Sequence, residues 1–249
     1  PPHQSSAASD VYKRQVPYTA YNNMDTTLST VDIRWRNTCN LACVYCSPEL
    51  SSTWEKELNA TVTVNETQLA KTKQYVLDNA HNLKNVYLAG GEPLLMKENC
   101  ELLDRLDPEC TVRINTNLSN IKSPVFERAS KFKNVHWIVS VESMDKEFEY
   151  IRYGASWDKF LKNLNTIRSL DHKISFNMLW LILNPYSVFD TVDFFRSLGY
   201  QQNAFIIGPI TGPTEYDIRN LNDRTLQDLE QRLKARIQGA DSRYLLHNS

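Results

Sequence analysis

At 249 residues, with 41% hydrophobic and 23% charged side chains, the chain has the make-up of a globular protein with room for one α/β domain or two small ones. A formal net charge of −1 implies no polyanion-binding surface overall, and the longest apolar run, "MLWLIL" at 178–183, is far too short to span a bilayer. Five cysteines, an odd number with three clustered, argue against a secreted disulfide framework; with no signal-peptide pattern at the N-terminus, they point to a reducing cytoplasm.

Residues 1–15, "PPHQSSAASDVYKRQ", carry no helical or strand periodicity and read as a cloning or assembly scar. Residues 16–30 follow as an N-terminal extension. From there short β-like runs alternate with helical patterns. "VDIRWR" (31–36) predicts a strand, and 63–80 a helix capped by Asn65 with Leu69, Val76 and Leu77 on one face. "NVYLA" (85–89) is a strand ending in Gly90-Gly91. Residues 96–106 are helical, 111–117 a strand, and 123–132 a helix opened by Ser123-Pro124. "VHWIVSVE" (135–142) is the clearest strand. A helix at 156–170, a strand at 173–182 and a helix at 187–199 closed by Gly199 come next. "AFIIG" (204–208) is a sixth strand and 222–238 a last charged helix. The expected division is a core at 31–210 and a helical extension at 211–249, truncated from a longer natural protein.

Helical crossovers imply parallel strands. Parity selects among the parallel architectures. Val135, Trp137, Val139 and Val141 share one face of their strand, and His136, Ile138, Ser140 and Glu142 the other. Strands 31–36, 111–117 and 174–178 divide the same way. A flat sheet between two helix layers would be apolar on both faces. The fold expected is therefore α/β, a partial (β/α)6 TIM-like barrel of parallel strands with helices outside and a polar lumen. In such barrels function gathers at the carboxyl ends of strands. Those ends carry Cys39, the Gly90-Gly91-Glu92-Pro93 turn, Asn117, Ser140, Glu142 and Gly208.

"CNLACVYC" spaces Cys39, Cys43 and Cys46 as C-x3-C-x2-C on the loop after the first strand. Structural zinc wants four closed tetrahedral ligands, and the other thiols, Cys100 and Cys110, lie on or beside later helices, as does His81. A disulfide between two of the three leaves one over. Three thiolates can instead hold three corners of a 4Fe–4S cluster, leaving the fourth iron open, as catalytic metal sites require.

This loop resembles that of the radical S-adenosylmethionine superfamily, C-x3-C-x-aromatic-C, with Tyr45 at the aromatic position. "LAGGEPLL" (88–95) is similar to the family's GGEP motif. The resemblance covers about residues 31 to 210 and is strongest to SPASM/twitch-type members, although this chain has no auxiliary-cluster cysteines beyond Cys110. It implies a 4Fe–4S cluster on Cys39, Cys43 and Cys46, with S-adenosylmethionine chelating the open iron and cleaved reductively to a 5′-deoxyadenosyl radical. It also implies that Gly90, Gly91 and Pro93 shape the turn, that Glu92 meets the methionine ammonium, and that Arg152 meets the carboxylate. Asn117 would neighbour the cofactor, Ser140 and Glu142 the ribose, and Gly208 the adenine. A flavodoxin or ferredoxin would supply the electron.

Arg34, Arg36 and Arg113 on the lumen face fit either an anionic or strongly polar substrate, peptide or small molecule, or pairing with Asp32, Glu92 or Glu142. The near-neutral charge and the lack of a basic face weigh against nucleic acid. An iron–sulfur redox or iron-sensing module, or an inactive fragment, is the alternative reading.

Overall fold

The structure is a computed structural model describing residues 27–239. The segment read as a scar, and most of the N-terminal extension, fall outside the described residues.

Six strands form one sheet: β1 (Thr30–Ile33), β2 (Asn85–Leu88), β3 (Thr111–Thr116), β4 (Val135–Ser140), β5 (Lys173–Trp180) and β6 (Phe205–Pro209). They lie in sequence order and every neighbouring pair is parallel. Among the described residues eight α-helices accompany them: α1 (Ser52–Glu57), α2 (Glu66–Asp78), α3 (Glu98–Leu103), α4 (Pro124–Ala129), α5 (Asp145–Ile151), α6 (Trp157–Arg168), α7 (Ser187–Ser197) and α8 (Asp223–Gly239). This open sheet with its crossover helices is the expected partial (β/α)6 barrel. Among the described residues no helix is long and apolar enough to cross a membrane.

Local chemistry starts and stops these elements as the sequence leads one to expect. The Asn65 side chain accepts the Gln68 amide at 2.9 Å to open α2, and Ser123 accepts that of Phe126 at 3.1 Å to open α4. Gly199, at φ +98°, closes α7 in a conformation that costs glycine little.

The apolar sheet face packs against the helices. Ile33, Val86, Ile114, Trp137 and Phe176 from the strands meet Val76, Leu102, Phe126, Leu164 and Phe195 from the helices in one core. The register sets Asp32, Tyr87, Arg113, His136 and Lys173 side by side on the opposite face. The two-faced strands thus have the cause proposed for them: among the described residues, helices cover one side.

Two helices escape the sequence reading, α1 and α5. At six and seven residues they are too short to display a helical period. Strand β1 also ends at Ile33 rather than Arg36, yet Trp35 still enters the core, its Nε1 donating to Asn99 Oδ1 at 2.9 Å.

Candidate functional site

The loop leaving β1 is gripped from two sides. Helix α1 turns back over it: Ser51 Oγ donates to Leu41 O at 2.7 Å, and Ser52 and Thr53 hydroxyls donate to Cys39 O at 3.0 and 2.9 Å. The Trp54 indole donates to Cys43 O at 2.8 Å. On the other side the amides of Ala42 and Val44 donate to Tyr153 O and Ile151 O, each at 2.9 Å. Cys39, Cys43 and Cys46 are all free thiols, Cys43 buried and the other two half-buried. Burial pushes the Cys43 thiol up to about 11, against the pull of Arg152, and raises Cys39 and Cys46 in the same way.

The Gly-Gly turn after β2 presses on this loop. Gly90 has φ +103°, and a Cβ there would stand 3.2 Å from Arg36 O; at Gly91 it would stand 2.3 Å from Thr38 O. These glycines let the backbone approach the cysteine loop itself. Pro93 opens the 3-10 turn that follows, and its carbonyl accepts Asn99 Nδ2 at 2.9 Å.

Glu92 is wholly buried. Its Oε1 accepts Thr116 Oγ1 at 2.7 Å and the Leu94 amide at 3.1 Å, and its Oε2 accepts the Asn117 amide at 2.7 Å. Burial outweighs these donors and lifts the carboxyl to about 6. Asn117 then reaches the cysteine loop, its Nδ2 lying 3.2 Å from Asn40 Oδ1 and 3.9 Å from Cys39 Sγ.

A second buried group lies beyond β4. Arg152 grips Glu142 bidentately, Nε to Oε2 at 2.6 Å and Nη2 to Oε1 at 2.8 Å, while Tyr45 donates its hydroxyl to Oε1 at 3.0 Å. Arg152 Nη1 lies 3.9 Å from Cys43 Sγ. Arg152, expected to meet a carboxylate of the cofactor, thus already holds one of the chain's own.

Hydrogen bonds therefore connect Cys39, Asn117 and Glu92 in one chain, and Cys43, Arg152, Glu142 and Tyr45 in another. Ser140 contacts Asn115 instead, at 3.3 Å, and Gly208 sits within β6 beside Leu179 with open space where a Cβ would be. Of the lumen arginines, Arg34 pairs with Asp32 and Arg36 with Glu66 and Glu98; neither takes Glu92 or Glu142. Sequence reasoning missed Thr116, the clamp from Ser51 to Trp54, and Asn184, whose Nδ2 donates to Glu142 O at 2.8 Å. The Ser-Ser-Thr run directly after the loop was a legible capping signal; the other two join the site only across the sheet.

Comparison with known proteins decides the family. A model of the radical SAM superfamily matches residues 33–195, more than half the chain. The chain belongs to the radical SAM superfamily.

Relatives of radical SAM type frame it further. A probable GTP 3′,8-cyclase of Methanocella arvoryzae is 28% identical over 182 residues, 68% of this chain and 53% of that protein. A 7-carboxy-7-deazaguanine synthase of Clostridium acetobutylicum is 33% identical over 96 residues, 39% of each. The fold is shared with Streptococcus suis SuiB bound to S-adenosylmethionine (TM-score 0.59, 18% identity, covering 94% of this chain and 52% of that one). It is shared also with anSMEcpe with bound AdoMet (TM-score 0.59, 16% identity, 85% and 62%). The chain spans between 39% and 62% of the length of these proteins.

The radical SAM superfamily uses a 4Fe–4S cluster with S-adenosylmethionine, and the donor set fits that pair. Among the described residues no three His, Cys, Asp or Glu side chains converge where one metal ion could sit. A four-iron cluster with one iron left open asks for three separate thiolates, one to an iron, and the loop provides three thiols and no fourth. Their raised pKa values mean that protons leave as metal arrives.

Proposed function

We propose that this chain is the core of a radical S-adenosylmethionine enzyme, with Cys39, Cys43 and Cys46 each holding one iron of a 4Fe–4S cluster. When bound, that cluster and S-adenosylmethionine supply reductive cleavage to methionine and a 5′-deoxyadenosyl radical that takes hydrogen from an unactivated carbon of the substrate. We assign the core to residues 31–210 and an extension, helical over Asp223–Gly239, to the residues from 211 on, of which 240–249 lie outside the described residues. Glu92 offers an ammonium the less occupied oxygen of its buried carboxylate, and the incoming positive charge offsets the burial that raises its pKa. Arg152 keeps Nη1 on the cysteine side for a carboxylate while Nε and Nη2 stay on Glu142. Asn117 borders the cofactor beside Cys39, Ser140 and Glu142 approach the ribose, and Gly208 leaves room for the adenine. Tyr45 braces Glu142 from within the cysteine loop, and the Gly90, Gly91 and Pro93 turn seats that loop.

One arrangement carries this reading: two of three free thiols on one loop lie 3.9 Å from Asn117 and Arg152, at the carboxyl ends of the strands. The partners it entails are a one-electron donor such as flavodoxin or ferredoxin, in a reducing cytoplasm, and a peptide or a small polar or anionic substrate. SuiB, whose fold is shared, has been solved bound to its precursor peptide SuiA.

Anaerobic reconstitution tests the proposal. We expect about four irons and four sulfides per chain, and release of 5′-deoxyadenosine from S-adenosylmethionine on reduction, lost in Cys43→Ala. A cluster that forms and cleaves nothing favours the redox or iron-sensing alternative. Stoichiometric zinc without iron overturns both.

A further inference from the structure

Basic side chains stand in one row on the face of the sheet opposite the core helices. The register sets Arg113 of β3 opposite His136 of β4, and His136 opposite Lys173 of β5. Neighbours in such a row stand about 5 Å apart, and like charges there repel. The acid of the row, Asp32, is two strands from Arg113, and Arg34 already holds both its oxygens at 3.1 Å. Arg34 and Arg113 share the ring of Tyr87, their guanidinium carbons 5.8 and 5.5 Å from its centroid. Neither Arg113 nor Lys173 forms an ion pair among the described residues. The imidazole of His136, 2.7 Å from Ser175 Oγ through Nε2, is held down to about 4 by burial first, then by Lys173 and Arg113. The row therefore carries the positive charges of Arg113 and Lys173 on either side of His136, and its acid, Asp32, is already taken by Arg34.

We propose that Arg113, His136 and Lys173, flanked by Arg34 and Tyr87, form an anion-binding floor that takes a carboxylate or phosphate group of the substrate. The strand geometry sets a length for that molecule. Asn117, beside Cys39, stands four residues beyond Arg113, just past the end of β3, or about 13 Å at the usual rise. A substrate anchored at the floor presents carbon to the radical chemistry when its reacting atom lies roughly 10 Å from its anionic group. Assignment of the anion to the substrate rests on the function proposed above; anion binding by the row does not.

The test uses the full chain, reconstituted anaerobically with S-adenosylmethionine. Inorganic phosphate and malonate are titrated in separately and followed by calorimetry and by the His136 imidazole resonances. At least one anion should bind saturably and raise the His136 pKa above about 4, because the imidazolium then gains a counter-ion among Arg113 on β3 and Lys173 and Ser175 on β5. Phosphate binding alone identifies a phosphorylated substrate class, and malonate binding alone a carboxylate. Arg113→Gln and Lys173→Gln should each weaken binding about tenfold or more, Arg113→Lys should retain most of it, and Lys234→Gln on α8 should leave it unchanged. Absence of saturable binding by either anion, or equal binding by wild type and Arg113→Gln, overturns the floor. Release of 5′-deoxyadenosine is measured on the same samples. Its absence beside intact anion binding removes the radical reading and leaves the floor standing.

Discussion

At Gly91 a single added carbon would press on the site from behind, since its nearest neighbours are the carbonyls of Thr38 and Asn37 at 2.3 and 2.7 Å. Gly91→Ala must push the cysteine loop off β2; we expect a loss of about 1–3 kcal/mol in urea unfolding, with lower iron content after reconstitution. The next residue makes a pH-dependent contribution of opposite sign to that of most carboxylates. Burial raises Glu92 from 4.5 to about 6, so between these values the folded protein binds its proton more tightly than the unfolded chain. Stability therefore falls as pH rises through that window, by about 2 kcal/mol in all. Glu92→Gln should abolish this fall, which unfolding curves at pH 4.5 and above 6 would reveal. Arg152 behaves differently because its partner is ionised: Arg152→Gln strands the Glu142 carboxylate without its counter-ion. Its expected cost in the same unfolding assay is about 3–5 kcal/mol. The sequence pointed to Glu92, Glu142 and Arg152 individually, and it did not disclose that the last two hold each other. A bond between side chains ten positions apart, bridging a strand end and a helix end, leaves no periodic trace.

Elements with a strong period were legible, and those without one were not. Strand β4 alternates cleanly because Val135, Trp137 and Val139 face the helices, and Trp137 is fully buried against Phe126, ring centroids 5.3 Å apart. Trp137→Ala should cost about 3–5 kcal/mol, seen as a shift of the urea midpoint with unchanged cofactor chemistry in the protein that remains folded. Helix α1 is the reverse case. It buries no residue and its six positions show no apolar stripe, so pattern reading passes over it. Its work is polar: the hydroxyls and indole that it turns toward Cys39 and Cys43 hold the loop by its carbonyls. Ser52→Ala would remove a donor to Cys39 O and the acceptor for the Cys39 amide. That change is expected to lower cluster yield more than thermal stability, as iron content beside a melting curve would show.

At the scale of the whole molecule, parallel pairing in sequence order puts β3 and β4 in the middle of the sheet and β1 and β6 at its rims. The parity of four strands was enough to read a helix-coated sheet with one polar face, because each crossover must cover the side that its own apolar residues define. What lies on the polar face was harder to read, since the row from Asp32 to Lys173 exists only once five strands are in register. Amide hydrogen exchange should be slowest in β3 and β4 and faster in β1 and β6, whose outer edges have no strand partner among the described residues. The amides of Ala42 and Val44 are already tied to the end of α5 and the turn after it, and the carbonyls of Cys39 and Cys43 to α1, using the chain's own groups alone. The thiols are thereby presented by a finished scaffold, unlike small zinc modules that fold only around their ion. Iron and sulfide would be delivered to a receptacle of preset shape, and their removal by a chelator should erase the visible absorbance while leaving the far-ultraviolet dichroism as it was.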